Sequence, residues 1–216
     1  MRADAVEEVR IGAGRVELAG RLRLAEGARG VVLFAHGSGS SRLSARNNAV
    51  AQVLQAAGLA SLLMDLLTAA EDREVEQRFD IGLLTARLGL GADWLGRDAR
   101  TRALGLGLFG ASTGAAAALD LAVRLGARVR AVVARGGRPD LAGEDVALVQ
   151  APTLLLVGGE DTEVLALNRR VYRQLRAEKE LAVIAGATHL FEEPGALEEV
   201  ARRAAAWFAR HLPEAG

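Results

Sequence analysis

Three side chains that could act together on a carbonyl group stand far apart along this chain. Ser112 lies in Gly110-Ala111-Ser112-Thr113-Gly114, Asp161 ends Gly158-Gly159-Glu160-Asp161, and His189 ends Gly186-Ala187-Thr188-His189. A serine hydroxyl is a weak nucleophile at neutral pH and needs an imidazole to take its proton as it attacks. The imidazole needs a carboxylate to set its tautomer and to stabilise the cation it becomes. Ser112 as nucleophile, His189 as base and Asp161 as orienting acid make up such a set. Glu160 is the alternative acid, because residue types alone do not give the geometry of that turn. The chemistry this set supports is acyl transfer from an ester, thioester or lactone through an acyl-enzyme.

The tetrahedral oxyanion of that reaction needs amide donors already in place. In a strand-turn-helix setting one donor comes from the residue after the nucleophile, here Thr113. The other comes from the loop after an earlier strand, His36-Gly37-Ser38-Gly39-Ser40-Ser41, where Ser38 is the first choice and Gly39 the second. His36 reads as a brace for that loop, Asp65 as a floor or turn residue, and His211, four residues after Trp207, as a packing or surface residue. Arg42, Arg46, Arg135 and Arg138 follow strand ends on the same side. Because a planar guanidinium suits a carboxylate or phosphate, they are candidates to bind an anionic substrate.

These groups converge only if the elements between them form one sheet. Residues 6–11 and 15–24 alternate apolar and charged positions around Gly12-Ala13-Gly14, as an edge hairpin does. Continuous apolar runs follow at 31–35, 60–64, 103–109, 129–134, 153–157 and 181–184, a pattern that suits strands buried on both faces. Amphipathic stretches at 45–57, 79–95, 115–125, 163–176 and 195–212 fall between and after them. This alternation predicts an α/β fold with a mostly parallel sheet covered by helices on both faces. Ligands of such sheets sit beyond the carboxyl ends of the strands, where Ser112, Asp161 and His189 all fall. The four prolines mark element boundaries and no repeat or linker interrupts the pattern, so residues 1–216 read as a single domain.

Ser112, Asp161 and His189 in that chain order, with His36-Gly37 after the third strand, resemble the α/β-hydrolase superfamily. The short chain and the two glycine-led turns at Asp161 and His189 are most similar to its dienelactone-hydrolase-like group. That resemblance implies an eight-stranded sheet with its second strand reversed. The dienelactone hydrolases are known for a cysteine nucleophile, whereas this chain carries serine and no cysteine, so their lactone is not implied as its substrate.

Composition narrows the partners. Lys and Arg number 27 and Asp and Glu 27, which removes the basic field that drives binding to nucleic acid or to an anionic membrane. Without cysteine there are no disulfides or thiolate metal sites, and no basic-then-apolar leader opens the chain, so a cytoplasmic location is expected. Neither a cofactor nor a metal is called for. Lys179 is the single lysine among those 27 basic residues, a bias of GC-rich or thermophilic origin that says nothing about activity. Sixteen residues, Gly136 to Ala151, lie between the sixth and seventh strands, which leaves no room for a large helical lid. With few aromatics besides, the expected partner is a small soluble ester, thioester or lactone; a homo-oligomer is left open. A non-catalytic scaffold of the same fold and an acyltransferase using the same triad are the rival readings.

Overall fold

The computed structural model describes residues 6–14, 16–142 and 144–212. Eight strands form one sheet: β1 (Val6–Ala13), β2 (Val16–Arg23), β3 (Gly30–Ala35), β4 (Leu59–Met64), β5 (Gly105–Ala111), β6 (Val129–Arg135), β7 (Thr153–Gly158) and β8 (Lys179–Ile184). Their spatial order is β1-β2-β4-β3-β5-β6-β7-β8. Only β2 runs against the rest, pairing antiparallel with both β1 and β4, while every other neighbour pair is parallel. The amino-terminal hairpin closes with Ala13 opposite Val16, and Arg15 lies outside the described residues.

The central strands are buried along almost their whole length because helices cover both faces. One layer holds α3 (Ile81–Leu95) and α4 (Thr113–Leu125), the other α1 (Ala45–Ala56) and α6 (Ala196–His211); α5 (Thr162–Gln174) leads from β7 to β8. The run Ala115–Ala118 is fully buried, and its small side chains let α4 lie close on the sheet. On the opposite face a Cβ at Gly107 would come 2.7 Å from the Phe208 ring, so that glycine makes room for α6.

Two boundaries differ from the sequence expectation. The run expected at 103–109 becomes a strand only from Gly105, and it continues to Ala111. The strand thus runs directly into Ser112, and α4 begins at the very next residue, two positions earlier than expected. The helix expected over 79–95 is divided. A short helix α2 (Val75–Phe79) stops at Asp80, whose Oδ1 accepts a 2.9 Å hydrogen bond from the Leu83 amide and starts α3 afresh. Between β6 and β7 the described residues form only two 3-10 turns, Pro139–Ala142 and Glu144–Leu148. No described helix is long and apolar enough to cross a membrane.

Candidate active site

Ser112 is the single residue between β5 and α4, at a sharp strand-to-helix bend. Its φ of 52° and ψ of −122° lie where a residue with a Cβ is strained. The bend is held by backbone: the Ser112 amide donates to Arg135 O at 3.2 Å, and its carbonyl accepts from the amides of Ala115 and Arg138, both at 3.0 Å. The flanking glycines are required by contact. A Cβ on Gly110 would come 2.5 Å from Ala115 Cα, and one on Gly114 would overlap Ala35 O and come 2.6 Å from His36 O. Gly37 faces the nucleophile from the other side, where a Cβ would lie 2.9 Å from that of Ser112.

β7 and β8 are neighbours, so the turns that follow them meet. The Glu160 amide donates to Ala187 O at 3.0 Å and the Gly159 amide to Ile184 O at 2.8 Å, stitching one turn to the other. Across this seam His189 Nδ1 and Asp161 Oδ2 are 2.6 Å apart. Asp161 is 14% exposed in its side chain and His189 39%, so the carboxylate is shielded while the ring reaches the open side. Glu160 points to solvent. Gly136, which follows β6, passes so close that a Cβ there would lie 3.6 Å from His189 Cε1 and 3.2 Å from His189 O. Ser112 and His189 are thus gathered at the carboxyl ends of β5, β6 and β8.

The loop after β3 is braced from beneath. His36 Nδ1 is 2.9 Å from Gly37 O, and the Leu66 amide donates to Nε2 at 3.0 Å. One ring nitrogen therefore donates and the other accepts, as in a neutral imidazole. Burial holds His36 below its ordinary value of 6.5, against the upward pull of Gly37 O, Asp65 and Asp72. The Ser38 amide points at the start of α4 and donates to Thr113 Oγ1 at 3.0 Å. Sequence reasoning missed this contact: it assigned both residues through their backbone amides, and no pattern marks a hydroxyl that meets one of them. A shallow depression here is lined by His36, Gly37, Ser38 and Gly39 and, opposite, by Leu67, Asp72, Arg78 and Leu84, so the stretch before α3 also borders the loop.

The four arginines expected near the substrate separate into two pairs. Arg42 donates to Asp65 from its backbone amide and from Nη1, both at 2.7 Å, and to Glu8 at 3.1 Å from Nε. Arg138 holds Asp140 through Nε and Nη2, each at 2.9 Å. Both charges are thus met by the chain's own carboxylates, which corrects their assignment as free anion binders. Among the described residues the Arg46 side chain reaches only Glu192, at 3.1 Å, and the guanidinium of Arg135, a residue 8% exposed, carries no hydrogen bond or ion pair. Asp65 is the partner of Arg42, and the His211 ring packs on Trp207 with ring centres 4.6 Å apart. No group of three described His, Asp or Glu side chains gathers as a metal site.

The comparisons with known proteins extend over nearly the whole fold. The model of the dienelactone hydrolase family matches residues 24–212. A solved dienelactone hydrolase from Anabaena variabilis superposes with a TM-score of 0.93 at 51% identity, covering 97% of this chain and 99% of that one. The esterase domain of a Rhodothermus marinus protein shares the fold at a TM-score of 0.76 and 20% identity, covering 96% and 99% of the two chains. Two Mycobacterium tuberculosis proteins, each named "Putative phosphoribosyl transferase", are 55% identical over 206 residues, 95% of this chain. The chain spans 46% of those relatives' length. With the family model matched over most of its length on an eight-stranded, mostly parallel sheet, the chain belongs to the dienelactone hydrolase family and has the α/β-hydrolase fold.

Proposed function

We propose that this protein is a serine hydrolase that cleaves a small ester, thioester or lactone through an acyl-enzyme. The 2.6 Å contact of His189 with Asp161, on the sheet end where Ser112 is held at positive φ, carries this reading. His189, fixed through Nδ1, turns Nε2 outward to take the Ser112 proton as Oγ attacks the acyl carbon. The imidazolium then gives that proton to the leaving oxygen or sulfur. A water attacks the Ser112 ester by the same route reversed, releasing the acid and restoring the hydroxyl. Thr113 N–H, at the first turn of α4, faces the developing oxyanion with the dipole of a 13-residue helix behind it. Ser38 N–H is the second donor, and it must share or release Thr113 Oγ1 to serve.

The short turns between β6 and β7 favour a small soluble acyl group over a lipid held beneath a lid. The phosphoribosyl transfer named for the two longer relatives we assign to the part of those proteins beyond the matched region, since the groups at this site are suited to acyl chemistry. Hydrolysis of p-nitrophenyl acetate by the wild type and by Ser112→Ala, with fluorophosphonate labelling of both, tests the reading. Turnover and labelling that disappear in the variant are expected. Equal rates and no labelling in either would show a scaffold without turnover.

A further inference from the structure

Arg135 is the least compensated charge beside the site. It ends β6 in register with Ala111, one strand spacing of about 4.8 Å from the backbone that carries Ser112. The Ser112 amide donates to its carbonyl, so its position is tied to that of the nucleophile. The residue is 8% exposed, and both Nε and Nη1 are buried without a hydrogen-bond partner. The guanidinium carbon lies 5.9 Å from the centre of the Phe191 ring, which gives the charge a π face but no acceptor. Phe191 itself has a φ of 55°, a conformation unfavourable for an aromatic residue, and it lies two positions after His189. The turn that presents the base therefore also holds the ring against Arg135.

The charged neighbour that acts on Arg135 is a second cation, Arg46 in the first turn of α1. Arg46 is joined to the exposed Glu192 by Nη1, while its own Nε is buried and unpartnered. Burial and the charge of Arg46 together push Arg135 down to about 10, so it is still a cation at neutral pH. A buried guanidinium without a carboxylate is a costly arrangement that folding alone does not favour. The donors left open on these two arginines match an oxyanion, which would replace the missing counter-charge.

We infer that Arg135 and Arg46 form an anion subsite beside Ser112, and that the substrate is an ester, thioester or lactone bearing a carboxylate or phosphate group that docks there. This rests on the hydrolase reading and deepens it. The two arginines bind and position; the reacting bonds stay with Ser112 and His189. Of the four arginines at this sheet end, this pair alone leaves guanidinium N–H groups both buried and unpartnered. Phe191 would lie along the bound group and exclude water from it.

Three p-nitrophenyl esters of one acyl chain length, ending in methyl, carboxylate or phosphate monoester, test the proposal by kcat/KM. The wild type is expected to favour at least one charged ester over the methyl ester. In Arg135→Met that ratio should fall on the order of 10–100-fold, the size of hydrogen bonds to a charged group, and Arg46→Met should lower it in part. Whichever charged ester loses more identifies the group the subsite takes. A wild type that prefers the methyl ester, or an Arg135→Met ratio equal to the wild-type ratio, would overturn the inference. In Ser112→Ala, inorganic phosphate or succinate at constant ionic strength should raise the melting temperature saturably, and in Ser112→Ala/Arg135→Lys this rise should weaken. No saturable rise with either anion would overturn the subsite even where Arg135→Met fails to fold. Loss of p-nitrophenyl acetate turnover or fluorophosphonate labelling in the wild type would count against the hydrolase reading alone, because the anion-dependent stabilisation is read without turnover.

Discussion

His189 Nδ1 and Asp161 Oδ2 lie 2.6 Å apart although 28 residues separate them in the chain. The cause is the parallel register of β7 and β8, in which Gly158 stands opposite Ile184, so that the turns leaving both strands start side by side. Gly158 lets them close: a Cβ there would overlap Ala187 O and come 2.6 Å from Thr188 O.

The pairing separates the two candidate acids. Asp161→Asn should lower kcat for p-nitrophenyl acetate by roughly 10³–10⁴-fold, because the amide would select the wrong imidazole tautomer. Glu160→Gln, at an exposed side chain, should stay within about twofold. The opposite order of effects would make Glu160 the acid.

The glycines of the bend give a test of geometry without touching a reacting group. Gly114→Ala drives a methyl into the carbonyls of Ala35 and His36, which are backbone atoms at and just past the end of a central strand and cannot step aside cheaply. A loss of about 3 kcal/mol or more in urea unfolding is expected, together with loss of fluorophosphonate labelling. Gly39→Ala makes the contrast: it has open space around it and a φ of +68°, so only the local strain of about 1 kcal/mol applies. Equal stabilities for the two would show that the bend tolerates a side chain.

Much of this arrangement is legible from residue types, because a buried parallel strand needs a continuous apolar run and a sharp strand-to-helix bend needs glycine where backbones meet. Ser112, Asp161 and His189 each stand at the end of such a run, so the strand order brings them to one edge. The limits of β5 were harder to place, since glycines at 105, 107 and 110 weaken any strand signal, and what extends the strand to Ala111 is pairing with β6. The break at Asp80 did have a signal, an N-cap residue directly before an apolar periodic run. The rest depends on tertiary contact. Arg138 meets Asp140 two residues further on, a partner within its own segment, but nothing local to Arg135 foretells the aromatic ring it meets. The positive φ of Phe191 and the bond from Ser38 to Thr113 Oγ1 are equally silent in sequence.

That last bond leads to a prediction about the loop after β3. Thr113 is buried, and its hydroxyl is the partner of the Ser38 amide. Thr113→Val keeps the shape but removes the acceptor, so unfolding free energy should fall by about 1–2 kcal/mol from an amide left without a partner. Thr113→Ser restores the acceptor and should recover most of that loss. If the valine variant is as stable as the wild type, the hydroxyl does not hold the loop.

His36 makes the fold sensitive to mild acid. Its folded pKa is depressed by burial, so the native state resists a proton that the unfolded chain accepts near 6.5. The stability contributed by the neutral ring is therefore complete above about pH 6.5 and is lost as pH falls below that value towards the folded pKa. Protonation would also place a hydrogen on Nε2, where the Leu66 amide now donates, and so release the brace beneath Gly37. Glu71 and Asp98 also have lowered values, but their ordinary values of 4.5 and 3.8 put their effect at lower pH. His211 shifts in the same direction as His36, so the informative quantity is the difference between wild type and His36→Gln. Urea unfolding from pH 8 to pH 5 should show a stability loss in the wild type approaching about 1.4 kcal/mol per pH unit from this one ring. The variant, less stable at pH 8 but unable to take up that proton, should have a flatter profile, and parallel profiles would remove His36 as the acid-sensitive group.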